Sequence, residues 1–392
     1  MSILPRLSSG VVGTAGRTPN PEAPLRSAGL RLSGDLVPVV SPARLYVCGI
    51  TPYDVTHLGH AATFVWADAA AAVLRMIGVE VLTCRNVTDV DDVLTKAAGA
   101  HHRHYDEFAL SQEYLFEQDM QALGVRWPTH VPRARHHISH VQQLAVALLA
   151  SGAAYERDGH VFFRGDTAVS HSGLAPSRAL QLSTEYGDEP ADPLRDNPFD
   201  VPVWRPSGEA DPAWPSPWGW GRPGWHAECA AMASATFGSS VDILVGGEDL
   251  AFPHHAYQAA MVEAASSVRP FARRQLHIGA VHKDGTKMAK STGNLTLVAD
   301  LLRDYPPAAV RLLLLDRPWN LAWHYEIDGL ANAAIKLEHL YSAAGRPGSS
   351  AAASEAVTSA LLDDLDFSRA LAIAETEGGD AARLVVRVLS LT

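Results

Sequence analysis

The stretch Leu45-Tyr-Val-Cys-Gly-Ile-Thr-Pro-Tyr-Asp-Val-Thr-His-Leu-Gly-His60 decides how the rest of the chain is read. Leu45, Tyr46 and Val47 form the apolar run that a parallel strand buried on both faces needs, and Gly49 and Pro52 then force a turn. A helix follows the turn. His57 and His60 stand three apart where it opens, so both imidazoles face one side, next to unpaired backbone amides and the positive end of the helix dipole. A phosphate group suits that corner. Two histidines at this spacing also occur as a plain satisfied pair, so the reading needs a second phosphate-handling element. Lys287-Met-Ala-Lys-Ser291 supplies it: Asp284-Gly285 and Gly293-Asn294 frame it as a loop, which leaves Lys287 and Lys290 able to approach an anion.

Outward from the first stretch, Ala61 to Ile77 reads as a helix with Phe64, Val65, Ala69, Val73 and Ile77 close to one stripe, and Gly78 closes it. Val79 to Thr83 reads as a second parallel strand. A strand, a helix and another strand, with the ligand motif at the first crossover, predict an α/β fold: a doubly wound, Rossmann-like parallel sheet that binds at its carboxyl edge. Asn86 to Asp92 then brings a threonine and three carboxylates past that strand, although Asp91 and Asp92 read equally well as a helix cap. Val241 to Val245 is a further buried strand, after which Gly246 and Gly247 allow close backbone approach and Glu248 and Asp249 bring carboxylates to the edge. Gln275 to Val281 repeats that arrangement ahead of the lysine loop.

Between the two halves, Tyr105 to Gly124 and Ile138 to Ala150 are helical in pattern, as an insertion into a split nucleotide fold would be. His101, His102 and His104, and again His136, His137 and His140, lack neighbouring cysteines or acids in a ligand pattern and read as solvated helix surface. From Asp188 to Gly224 the chain is proline-rich, and with Trp225 this region carries Trp204, Trp214, Trp218 and Trp220. Such a stretch excludes a long helix or a central strand and reads as a loop packed by its own indoles, with stacking on a sugar ring as the alternative. Pro306 and Pro307 open a helix over Ala308 to Leu315, and a Gly/Ser/Ala linker lies near 345–354. The expected division is a flexible leader (1–28), the first catalytic half (29–100), a mostly helical insertion (101–185), the second half (186–300) and a C-terminal helical domain (301–392).

The His57-Leu-Gly-His60 and Lys287-Met-Ala-Lys-Ser291 stretches together resemble the two signatures of class I aminoacyl-tRNA synthetases. Tyr46-Val-Cys-Gly49, Asn86-Val-Thr-Asp-Val-Asp-Asp92, Gly224-Trp-His-Ala-Glu-Cys229 and Phe252-Pro-His-His255 look like cysteinyl-tRNA synthetase motifs. Gly49-Ile-Thr-Pro-Tyr-Asp54 followed by His57-Leu-Gly-His-Ala-Ala62 is closer to their tRNA-independent relatives, the mycothiol-pathway cysteine ligases. The likeness runs from about residue 30 to about residue 389. It implies ATP-dependent formation of cysteinyl-adenylate from L-cysteine, Mg²⁺ accompanying ATP, and transfer to an amino-sugar inositol acceptor. His57, His60, Lys287 and Lys290 take the catalytic positions. Cys48, Gly49, Ile50, Thr51, Thr63, Asn86, Val87, Thr88, Trp225, Gly247, Glu248, Asp249 and Val281 take those that contact substrate or adenylate.

The resemblance also implies one Zn²⁺ per chain, because Cys48, Cys229 and His254 match three of the four zinc positions of the synthetases. The fourth, an acid there, is Gln258 here, as the ligases also lack an acid at that place. Three ligands and an open position suit a metal that receives a substrate thiol, and a soft thiolate bond separates cysteine from serine or alanine where shape gives only about a hundredfold. Three departures stand out. Ala289 replaces a serine in the lysine loop, Glu185-Tyr-Gly-Asp-Glu-Pro190 replaces the ligases' Glu-Arg-Gly-Gly-Asp-Pro, and Ala256 follows His255 where glutamate is usual. They leave open a paralogue acting on another amine.

Composition agrees with a globular enzyme. At 392 residues and 47% hydrophobic content the chain can bury a sizeable core, and no run approaches the roughly 18 apolar residues of a membrane span. No secretory signal is evident, and the three cysteines, Cys48, Cys84 and Cys229, are too few for a disulfide framework, so a cytoplasmic monomer is expected. A net charge of −11 argues against nucleic acid as the main partner. The tail agrees: residues 341–392 hold four arginines against seven carboxylates, unlike an anticodon-reading domain.

Overall fold

In the computed structural model, whose described residues are 29–392 apart from 54, 55, 210, 290 and 291, the chain enters through a small antiparallel hairpin. Its strands are β1 (Arg31–Leu32) and β2 (Asp35–Leu36). The leader expected over 1–28 lies outside the described residues. Next come β3 (Ala43–Ile50), α1 (Leu58–Met76) and β4 (Val81–Val87), with β3 and β4 parallel as the opening stretch predicts. Alternation explains the apolar run: Leu45 and Val47 enter one core, Tyr46 and Cys48 the other. Gly78 closes α1 in the left-handed region at φ 82°. β4 runs past the expected Thr83 to Val87, because Val87 belongs to the core and pairs with Ile50. Asn86 and Val87 are thus strand residues, not loop residues beyond it.

Asp91 does cap a helix, its carboxylate accepting from Val93 N–H at 2.7 Å at the start of α2 (Asp92–Ala100). The insertion follows with α3 (Tyr105–Ala122) and α4 (Ile138–Ala150), close to their expected bounds. It also holds a hairpin, β5 (Ala154–Arg157) with β6 (His160–Phe163), then α5 (Asp166–Ser172) and α6 (Pro176–Glu185). The proline-rich stretch corrects the sequence reading. β7 (Val201–Pro206) is an interior strand, paired with β6 on one side and β8 (Gly221–Pro223) on the other. Pro202 is tolerated there because it faces Phe162 where the register slips, so the missing N–H falls at an irregularity. Trp204 is fully buried with Trp218 6.2 Å away, which is packing, whereas Trp220 is exposed.

α7 (Trp225–Phe237), β9 (Val241–Gly247), α8 (Ala256–Ser266) and β10 (Ala272–Ile278) complete the central sheet in the order β10-β9-β3-β4, all parallel. The chain winds away from β3 in one direction and away from β9 in the other. The carboxyl ends of these two neighbours therefore flank a switch point, where such sheets bind ligands. The lysine loop grows from β11 (Val281–Lys283) and β12 (Thr286–Lys287), and α9 (Val298–Asp304), α10 (Pro307–Leu315) and β13 (Trp323–His324) follow. β13 pairs with β11, and Pro307 opens α10 at its first turn. The C-terminal helices are α11 (Ile327–Ala344), α12 (Ala351–Leu362), α13 (Phe367–Glu377) and α14 (Gly379–Val388). They share a core with α1: Trp66 stacks on Phe367 at 4.8 Å, and the fully buried Arg311 joins Asp68 to the carbonyls of Leu123 and Leu389.

Candidate active site

A cavity of about 350 Å³ opens at the switch point. Two elements of the opening stretch build one wall. His57 caps α1, and its Nδ1 accepts the His60 backbone N–H at 3.3 Å, with the two rings stacked 4.5 Å apart. Burial, then the charges of His60 and Lys287, push His57 down to about 3, so it is neutral at pH 7. With Nδ1 accepting, the neutral ring carries its proton on Nε2 and donates from there. Opposite, Lys287 Nζ stands 2.7 Å from Asp249 Oδ2. Burial alone would lower this ammonium, but Asp249, Tyr186 and Glu248 outweigh it and hold Lys287 above its ordinary value. Asn294 fixes the loop, its amide donating to the Lys283 and Lys287 carbonyls while its oxygen accepts from Ala289 N–H at 3.0 Å. Lys290 lies outside the described residues.

At the floor, Cys48 from the end of β3, Cys229 from α7 and His254 from the turn before α8 present donor atoms within 4.8 Å of one another, all three buried. Among the described residues this is the only group of three or more His, Cys, Asp or Glu side chains so arranged, and neither outer histidine group forms one. The neighbouring Cys48 thiol, then His254 and Asn86, bring Cys229 down to about 5 against the opposing effect of burial, while burial pushes Cys48 well up. One thiolate is thus ready at neutral pH. Gln258, fully buried, places Oε1 3.5 Å from Cys48 Sγ and donates to the Cys229 carbonyl, so it braces the pair instead of adding a charge. Two sulfurs and an imidazole suit zinc. His254 Nδ1 lies 3.0 Å from His226 Nδ1, the kind of outer contact that fixes a ligand's ring.

The linking wall is as constrained. A Cβ on Gly49 would fall 1.8 Å from the Asn86 carbonyl oxygen, so only glycine fits. The Gly49 N–H bonds Asn86 Oδ1 at 3.0 Å, and Asn86 Nδ2 donates to Cys229 Sγ at 3.3 Å. Thr51 and Thr88 share a hydroxyl bond of 2.7 Å. Trp225 stacks on His254 at 4.3 Å. Thr63, Gly247, Glu248 and Val281 also line the cavity. Ile50 and Val87 do not: their side chains fill the core, and Ile50 contributes its carbonyl to Thr88.

Several lining residues were missed from sequence. Tyr53, Phe64 and Tyr186 enter the cavity from three different elements, and nothing local announces that. The histidine row is the larger omission. His255 Nδ1 meets His277 Nε2 at 2.8 Å, and burial pushes His226 and His255 well down and His277 to about 4. His226 and His255 were visible inside quoted motifs, but their pairing is tertiary.

Residues 38–335 match the family model described as tRNA synthetases class I (C) catalytic domain. The L-cysteine:1D-myo-inositol 2-amino-2-deoxy-alpha-D-glucopyranoside ligase of Streptosporangium roseum is 39% identical over 366 residues, 91% of this chain and 90% of that protein. The ligase of the same name from Mycobacterium tuberculosis is 40% identical over 378 residues, 90% of each. Among solved structures, the fold is similar to M. tuberculosis methionyl-tRNA synthetase in complex with methionyl-adenylate, with a TM-score of 0.60 at 17% identity, over 90% of this chain and 82% of that one. It is also similar to an Agrobacterium radiobacter LeuRS, with a TM-score of 0.63 at 12% identity, over 95% and 84%.

Proposed function

From the premise that the chain belongs to the class I tRNA synthetase (C) catalytic-domain family, and within it to the L-cysteine:1D-myo-inositol 2-amino-2-deoxy-α-D-glucopyranoside ligases, we infer an ATP-dependent ligase that activates L-cysteine and passes it to the amino group of glucosaminyl-inositol, the amide-forming step of mycothiol synthesis. First, a cysteine carboxylate oxygen attacks the α-phosphorus of ATP; the bond to the bridging oxygen breaks and pyrophosphate leaves, accompanied by Mg²⁺. Charge grows on phosphate oxygens, so positioned donors do most of the work. His57 Nε2–H, His60, Lys287 and Lys290 are those donors. Lys287 and Asp249 now hold each other; when ATP phosphates draw the lysine away, Asp249 is released to receive the ammonium of cysteine. Zinc held by Cys48, Cys229 and His254 would supply a soft Lewis acid with an open position for the substrate sulfur.

In the second step the acceptor amine attacks the cysteinyl carbonyl, the bond to AMP breaks, and the amine proton passes to solvent. Proximity to the activated carbonyl supplies the rate. The observation that carries the reading is one cavity holding both a phosphate-handling wall, His57 and Lys287, and a two-sulfur, one-imidazole floor. A small-molecule acceptor is further supported by the acidic helices α11–α14, which pack into the core of the catalytic domain. No helix among the described residues is long and apolar enough to cross a membrane.

The test is cysteine-dependent ATP–pyrophosphate exchange, followed by an acceptor panel of glucosaminyl-inositol, other amino compounds and tRNA. Exchange followed by amide formation with glucosaminyl-inositol is expected. Charging of tRNA alone refutes the acceptor, and absent exchange refutes the enzyme. Tyr186 favours a second reading, a ligase for another amine, because it lines the cleft where the ligases' motif has arginine. A different amine preferred in the panel would establish that reading.

A further inference from the structure

Phe64 lines a second, smaller cavity as well as the cleft. It measures about 40 Å³, room for roughly three waters at about 10–15 Å³ each, which admits a phosphate group and excludes a nucleotide. Three arginines line it: Arg75 from the last turn of α1, Arg85 from β4 and Arg126 from the loop after α3. The carboxylates nearby are already engaged. Asp68, which also lines the cavity, accepts from the buried Arg311 through Oδ2 and from the Arg126 backbone N–H through Oδ1, while Glu117 pairs with Arg85. Arg75 and Arg126 have no ion pair among the described residues.

Two donors are left over. Arg75 Nη1 and Arg85 Nε are buried without a hydrogen-bond partner, and Arg85 is only 4% exposed. Burial, and then the nearby Arg126, hold the Arg75 guanidinium below its ordinary value, although Asp68, whose own oxygens are already engaged, partly offsets them. A chain with a net charge of −11 does not collect such a group through a basic composition. We infer that this cavity binds a phosphate group, gripped by the Arg75 and Arg126 guanidinium forks, with Arg85 Nε as a buried donor. Planar forks suit tetrahedral oxyanions, and the adenylation reaction, whose phosphates face His57 and Lys287, has no use for this one.

The test is calorimetric titration of the zinc-loaded chain at fixed ionic strength, with the cleft filled by a sulfamoyl analogue of the cysteinyl-adenylate so that its phosphate wall is occupied. The probes are inorganic phosphate and glucose 6-phosphate. One saturable site per chain is expected, weakened roughly tenfold or more by Arg75→Gln and by Arg126→Gln. Preference for inorganic phosphate identifies a free-phosphate site, and preference for the ester a phosphorylated metabolite. Arg126 is exposed, so Arg126→Gln keeps the test decisive if Arg75→Gln fails to fold. No saturable binding of either probe, or binding that Arg126→Gln leaves unchanged, overturns the inference.

Discussion

Replacing Gly49 by alanine tests how tightly the fold and the site are joined. The new Cβ would lie 1.8 Å from the Asn86 carbonyl oxygen and 2.9 Å from its carbon, against ordinary contact beginning at 3.4 Å. Backbone must therefore move by about 1.5 Å, at the end of two paired parallel strands. Such overpacking costs about 1–3 kcal/mol. The movement also strains the Gly49 N–H bond to Asn86 Oδ1 at 3.0 Å and the Asn86 amide bond to Cys229 Sγ at 3.3 Å. At about 1 kcal/mol for the first and about 1.5–3 kcal/mol for a bond to a charged sulfur, the total is roughly 3–7 kcal/mol. For a chain of this size that lowers the melting midpoint by on the order of 10 °C. A displacement of about 1 Å at the floor costs about a hundredfold in kcat/KM for cysteine, expressed in KM for cysteine before KM for ATP because Asn86 touches Cys229. The assays are thermal unfolding and pyrophosphate exchange. Gly99→Ala, within α2 and with nothing inside 4 Å of the new Cβ, is the control and melts at or slightly above wild type. A Gly49→Ala protein with wild-type midpoint and wild-type KM for cysteine refutes the reasoning.

Lys287→Met removes the ammonium facing Asp249 and lowers exchange kcat by about a hundred- to a thousandfold with the melting midpoint little changed, since both side chains are partly exposed. Arg311→Met leaves Asp68 buried without its partner and, by chemical denaturation, costs about 3–5 kcal/mol. Acid acts through histidine. His57 and His277 are lowered from 6.5 to about 3 and about 4, so the unfolded chain takes the proton first, and stability present above pH 6.5 is lost as pH falls toward those values. The melting midpoint therefore drops between pH 7 and pH 5, and His277→Asn shallows that slope; an unchanged slope contradicts it.

What the sequence made legible was what local chemistry dictates. The apolar run at Leu45, the breaker at Pro52 and the histidines that follow specify a strand, a turn and a helix without help from elsewhere, and the structure has them; Gly49, expected to end the strand, instead lies within β3, where the pairing with β4 is irregular. Other features depend on neighbours. β4 extends to Val87 because β3 and the core receive it, and proline-rich β7 becomes an interior strand because the irregularity opposite Pro202 absorbs the missing N–H. The row from His226 to His277 joins three elements, and no spacing along the chain encodes it. Gln258 was seen as a missing acid, but its bracing of Cys48 and Cys229 needed coordinates.

The most direct measurement is zinc content together with amino-acid selectivity in one experiment. Purified active chain is analysed for metal, and exchange is compared for cysteine and serine before and after Cys229→Ser. One zinc per chain and a strong preference for cysteine that collapses in the variant are predicted. Active protein without zinc, or a Cys229→Ser variant that still prefers cysteine as strongly as the parent, contradicts the account.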